Sequence, residues 1–160
     1  MEDLQRIAPL NRGRSRTIAV AVAAAALAGC GSEPSRDVPA ACKQQSAAVE
    51  RALAAAPGVV RIGGVRLSHC FSRPSDSGDV QALGLTYLPV AEHLAEAARA
   101  HPRGVAALRL GFLVAAVHRG AAHAQGVYSE LERRLAQELA GVDTGSPAYR
   151  RGERAGRDHG

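Results

Sequence analysis

The feature that most restricts the fold is a short uncharged run near the amino terminus, Ile18 to Gly29. A helix of twelve residues spans about 18 Å, whereas the hydrocarbon core of a bilayer is about 30 Å thick. Arg16 and Glu33 flank the run, so a longer membrane-spanning helix would place a charged side chain in the hydrocarbon core. The segment before it is basic, with Arg6, Arg12, Arg14 and Arg16. This order is typical of a secretory signal peptide, and the sequence predicts one over residues 1–29.

The run ends in Leu27-Ala28-Gly29-Cys30, which resembles the lipobox of bacterial lipoproteins. In that family the small residues, here Ala28 and Gly29, let an extended backbone enter the signal peptidase. The thiol, here that of Cys30, receives a diacylglyceryl group before cleavage. The resemblance implies that Cys30 becomes the acylated first residue of the mature protein, anchored to the extracytoplasmic face of the cell membrane. Two or three acyl chains anchor stably, at about 0.8 kcal/mol per buried methylene.

Two features of the amino-terminal half, the uncharged run and Cys70, each allow a second interpretation. The uncharged run is also compatible with an alanine-rich core helix that happens to end in a cysteine. Outside the cytoplasm the remaining cysteines, Cys42 and Cys70, are expected to form a disulfide, because Cys30 is committed to lipid. The alternative for Cys70 is a catalytic or metal-binding thiol beside His69.

The rest of the chain predicts an all-α fold, a small bundle of about four helices. Aromatic residues are scarce, so the core must consist of Leu, Val and Ala. Residues 31–40 are polar and contain two prolines, Pro34 and Pro39. The sequence therefore predicts a flexible tether over 30–38, followed by a helical domain over 39–141. Helical spacing of apolar residues is found over 39–58, 80–100, 105–119 and 127–141.

Several local features refine this prediction. Gly63-Gly64, between short β-branched runs, predicts a small β-hairpin. Asp79 is the expected N-cap of the second helix, and Pro89 is expected to kink it. The third helix is apolar on nearly all sides, which is typical of the centre of a bundle. Residues 142–160 lack apolar periodicity and predict a disordered basic tail.

Few residues indicate chemistry, and the sequence predicts neither an enzyme nor a cofactor. His93 with Glu92 and Glu96 is compatible with a metal or acid–base pair, but the preferred interpretation is a solvated polar face opposite the Val90–Leu94 stripe. His118 and His123 flank a polar connection. From Cys30 onward there are 16 basic and 13 acidic residues, which does not indicate nucleic-acid binding. The tail arginines, diluted by two acids, either stay solvated or touch anionic lipid headgroups: Arg150, Arg151, Arg154 and Arg157.

The sequence predicts a general class of function for this protein but no specific activity. The segments RLSHC (residues 66–70) and LGFLVAAVHRGA (110–121) resemble small lipoproteins of high-GC Gram-positive bacteria, a group with no known activity. The main hypothesis is a non-enzymatic module that binds another envelope protein or the cell wall. The alternatives are a lipoprotein that holds a small apolar ligand between the second and third helices, where Pro89 loosens the packing, and an enzyme. A cavity between these helices would favour the hypothesis of a small apolar ligand. An exposed apolar patch would favour the hypothesis of a module that binds another envelope protein.

Overall fold

The computed structural model describes residues 37–73 and 76–160, which form a predominantly helical domain. Its α-helices are α1 (Ser46–Leu53), α2 (Ser77–Ala100), α3 (Val105–Ala121), α4 (Ser129–Glu138) and α5 (Pro147–His159). Strands β1 (Arg61–Ile62) and β2 (Val65–Arg66) pair between α1 and α2, and 3₁₀ segments cover Ala40–Lys43 and Leu67–Cys70. The helical class is as predicted.

The first predicted helix is divided in two. Gln44 and Gln45 are extended, so the 3₁₀ segment Ala40–Lys43 ends before α1 begins. The break allows Lys43 Nζ to approach Asp79 Oδ1 to 2.7 Å, while Ser46 Oγ donates to the carbonyl of Thr86 at 2.9 Å. Both contacts attach this region to α2.

The predicted hairpin is confirmed. Arg61 pairs with Arg66 and Ile62 with Val65 in an antiparallel register. Gly63 and Gly64 have φ of +54° and +85°, which a two-residue turn of this hand requires at both positions. Ile62 is buried, so the hairpin closes over the core.

The start of α2 corrects two predictions. The N-cap is Asp76, whose carboxylate accepts from the Asp79 N–H at 2.8 Å; Asp79 is not the cap. The Asp79 carboxylate instead accepts from the N–H of Val38 at 3.0 Å and from Lys43. Val38 is buried, so it belongs to the folded domain and not to the tether predicted over 30–38. The Lys43 hydrogen bond, followed by that of Val38, lowers the pKa of Asp79.

Helix α2 continues through Pro89 and is not split there. Its inner face follows a helical stripe of buried residues: Leu83, Tyr87, Val90, Leu94 and Ala98. Helix α3 is the centre of the domain, as predicted, because its side chains are buried continuously from Leu110 to Val117. The Phe71, Tyr87 and Tyr128 rings meet edge to face, with centroids 4.9 and 5.8 Å from Phe71.

The carboxyl-terminal region contradicts the predicted disordered tail over 142–160. Ser146 caps α5 by accepting from the N–H of Tyr149 at 3.3 Å, and Pro147 occupies the first turn. Tyr149, Gly152 and Gly156 are buried against α3. Two of these three buried positions are glycines, which is why no apolar pattern indicated the helix in the sequence.

Candidate functional site

The strongest candidate for a binding site is a groove between α2 and α4. It has a volume of about 490 Å³. Helix α2 contributes Ser77, Val80, Gln81, Gly84, Leu85, Leu88 and Pro89, and α4 contributes Glu130, Leu131 and Arg134. Leu85 is 72% exposed, the largest exposed fraction among the large apolar side chains of the described chain. We call this surface the α2–α4 groove.

The groove arises from the outer face of α2. Leu83 and Tyr87 face the core, which leaves Leu85 and Pro89 exposed. Leu88 is half-buried at the edge of the core and also lines the groove. Gly84 adds room, because a methyl group built on it would meet only Leu88 Cδ1, at 3.9 Å. Pro89 also has no N–H to donate to the carbonyl of Leu85, which removes one hydrogen bond of the helix at the groove.

The α4 rim of the groove carries a compact charge cluster. Both oxygens of the Glu130 carboxylate accept from Arg133, at 2.7 and 2.8 Å, and Arg134 Nε donates to the same group at 2.8 Å. The hydrogen bonds of Arg133, then of Arg134, lower the pKa of Glu130 to about 2. The carboxylate therefore stays ionised above that pH. The cluster of two arginines and one glutamate has a net charge of +1, but Arg133 lies outside the residues that line the groove.

This position differs from the predicted ligand site. The sequence predicted a cavity between the second and third helices, near Pro89. Pro89 does line a cavity, but the other wall is α4. Sequence periodicity missed this wall because Leu131, the apolar residue that α4 contributes to the groove, belongs to the buried stripe of α4, and the other two lining residues of α4 are charged.

The Cys42–Cys70 disulfide is present, as predicted. Its Cα atoms are 5.5 Å apart, and the residues are 0% and 1% exposed. The bond joins the two 3₁₀ segments and encloses α1 and the hairpin between them. In this form Cys70 is a structural residue, since neither sulfur is a free thiol.

The polar residues singled out in the sequence do not converge on one site. His93 Nδ1 lies 2.9 Å from Glu50 Oε1 on α1, and His118 Nδ1 lies 2.6 Å from Glu132 Oε1 on α4. Ser68 Oγ donates to the carbonyl of Gly160 at 2.7 Å. Within residues 37–73 and 76–160, no three His, Cys, Asp or Glu side chains are grouped to hold a metal ion.

The predicted membrane anchor lies outside the part of the chain that the structure describes. This holds for the signal peptide over 1–29, with Leu27, Ala28 and Gly29, and for Cys30. Of the helices that the structure describes, none has the length and apolarity needed to cross a bilayer.

Tyr87 is a buried polar residue that the sequence did not distinguish from an ordinary core position. Its side chain is fully buried, and burial raises the pKa of its phenol. Its hydroxyl has no hydrogen-bond partner among the described residues, whereas the Tyr128 hydroxyl donates to the carbonyl of Arg73 at 3.0 Å. Tyr87 fell on the apolar stripe of α2 in the sequence, and no local signal marked its hydroxyl.

Comparison with known proteins found no matching family model, no matching curated protein and no matching solved structure.

Proposed function

We propose that this chain is a lipid-anchored extracytoplasmic protein whose helical domain binds another envelope protein through the α2–α4 groove. The lipobox sequence supports the anchor. The Cys42–Cys70 disulfide supports an oxidising location, because such bonds persist mainly outside the cytoplasm. The observation that carries the binding role is the groove itself, where Leu85 is 72% exposed beside the ion pair of Glu130 and Arg134.

The chemistry of the groove indicates its occupant. Leu85, Leu88 and Leu131 offer an apolar floor, which suits the apolar side of an amphipathic segment. Arg134 at the rim suits an acidic side chain on that segment, because Glu130 neutralises only one of the two arginines it binds. The proposed partner is therefore an amphipathic acidic segment of an envelope protein.

A second candidate is a small apolar ligand in the same groove. A volume of about 490 Å³ falls in the range of known ligand pockets, which are roughly 300–1,000 Å³. A ligand would be held mainly by Leu85, Leu88 and Leu131. Binding of such a ligand would not depend on the charge of Arg134, whereas binding of an acidic segment would.

The anchor is tested by the intact, non-reduced mass of the protein from the membrane fraction of its own host. We expect the mass of residues 30–160 plus a diacylglyceryl group, less two hydrogens for the disulfide. An added acyl chain on the terminal amine, such as palmitate, would also agree. A mass for residues 1–160 with three free thiols would contradict the anchor.

The binding role is tested with a photo-crosslinking residue at position 85 in the anchored protein. We expect a protein crosslink from position 85 and none from position 59, where Val59 is 43% exposed outside the groove. The Arg134→Glu change should lower the yield at position 85 by up to about fivefold, because a surface ion pair contributes up to about 1 kcal/mol. The control is Arg51→Glu, the same change on α1.

Each outcome of this experiment is decisive. Equal crosslinking from positions 85 and 59 would contradict a groove-specific partner. A crosslink from position 85 that Arg134→Glu and Arg51→Glu leave equally strong would contradict an acidic segment. A small molecule retained in the native mass spectrum and lost on Leu85→Asn would favour the apolar ligand instead.

A further inference from the structure

Helix α5 has two opposed faces. One is the buried face with Gly152 and Gly156, packed on α3. The other carries four exposed arginines, which we call the basic face: Arg150, Arg151, Arg154 and Arg157. At 3.6 residues per turn, Arg150, Arg154 and Arg157 lie within an arc of about 60°.

The basic face is held rigidly and retains excess positive charge. The backbone of α5 lies against that of α3, so the arginines project from a fixed helix rather than from a tail. Arg119 on α3 donates to the carbonyl of Arg157 at 2.7 Å, which adds a fifth cation beside the face. Only two acids are on α5, and one of them, Glu153, is 2.8 Å from Arg157.

An exposed apolar residue lies next to the basic face. Val105, at the start of α3, is 57% exposed. It lines a hollow of about 350 Å³ together with Leu108, Ala148, Arg103 and Arg151. An apolar side chain between arginines is the pattern of surfaces that rest at a membrane interface, where the cations meet phosphates and the apolar group enters the headgroup region.

We propose that the basic face of α5, with Arg103 and Val105 beside it, docks on anionic phospholipid headgroups. The inference deepens the proposed function and rests on it, because the anchor is what places the domain beside a membrane. The docked domain lies against the bilayer through α5. Phosphate oxygens are the ligands for the arginines, which bind them through paired N–H groups.

The test measures partitioning of the full chain into vesicles, using a Cys30→Ser background that cannot be acylated. The readout is the ratio of binding to phosphatidylglycerol–phosphatidylcholine vesicles over binding to phosphatidylcholine alone. All variants share the same amino-terminal segment, so its contribution cancels when their ratios are compared. The test variant is Arg150→Gln, Arg151→Gln and Arg154→Gln. The matched control removes equal charge from α1 and the hairpin: Arg51→Gln, Arg61→Gln and Arg66→Gln.

We expect the test variant to lower the ratio on the order of 100-fold, since each arginine near an anionic surface contributes roughly fivefold. The control should lower it far less, and higher salt should abolish the difference between the two. Circular dichroism of both variants establishes that they are folded. Equal losses in the two variants would overturn the proposal, because they would show a response to net charge alone.

The outcomes also separate this inference from the anchor. An acylated native mass with a ratio that does not depend on Arg150, Arg151 and Arg154 would overturn docking through α5 only. A selective ratio in a protein whose native mass carries no lipid would overturn the anchor only. Selective binding to soluble polyphosphate without binding to the anionic vesicles would overturn the phospholipid as the partner.

Discussion

Replacing Gly152 with alanine is expected to destabilise the domain by about 3 kcal/mol, which is the upper part of the usual range for an overpacked core. A methyl group at this position would overlap the carbonyl oxygen of Leu108 and lie 3.0 Å from the backbone nitrogen of Phe112. Both are atoms of the α3 backbone and cannot rotate aside. Helix α5 would therefore have to move away from α3, which exposes Tyr149. Urea denaturation followed by circular dichroism measures the free energy of unfolding.

The matched control is Gly84→Ala, the same change inside α2. A methyl group there meets only Leu88 Cδ1, at an ordinary 3.9 Å. Since alanine favours the interior of a helix over glycine by about 1 kcal/mol, this variant should gain stability or keep it. The two glycine-to-alanine changes are thus expected to have opposite effects, and the free energies of unfolding of the two variants should differ by about 4 kcal/mol. If Gly152→Ala were as stable as Gly84→Ala, the close approach of α5 to α3 would be contradicted.

The carboxyl-terminal helix shows why part of this fold could not be predicted from the sequence. Apolar periodicity identifies a helix by the side chains it buries, and it correctly indicated α2, α3 and α4. Of the three buried residues of α5, only Tyr149 has a side chain, and the other two are Gly152 and Gly156. Its exposed side carries arginines and acids, so composition alone suggested a solvated tail.

Only part of the candidate functional site could be predicted from the sequence. The Cys42–Cys70 disulfide was predictable, because only two cysteines remain once the protein is taken to be exported and Cys30 to be acylated. The groove could not be predicted from the sequence, because Leu85 belongs to no apolar stripe of α2. Leu85 lines a groove only because α4 packs beside it in the folded domain. The histidines were misleading in the same way: His93 shares a helix with Glu96, but its carboxylate partner is Glu50, 43 positions away along the chain.

Breaking the Cys42–Cys70 disulfide is expected to cost about 3.5 kcal/mol of the free energy of unfolding. The two cysteines are 28 positions apart, and closing a loop of that size in the unfolded chain has roughly this entropic cost. The measurement compares urea denaturation of the oxidised protein with that of the reduced protein and of Cys42→Ala/Cys70→Ala. A domain of this size has a total stability of only about 5–15 kcal/mol, so the double variant should unfold at a much lower urea concentration.

Reduced wild-type protein separates the loss of the covalent bond from the loss of packing. It keeps both sulfur atoms, so it should lose only the loop term, whereas the double variant also loses contacts made by two buried side chains. Reductant should act slowly on the folded protein and quickly once urea unfolds it, because both cysteines are almost completely buried in the native state. Equal stability of the oxidised and reduced forms would show that α1 and the hairpin are held by packing alone. In that case the lost sulfur contacts would account for the whole cost of the double substitution.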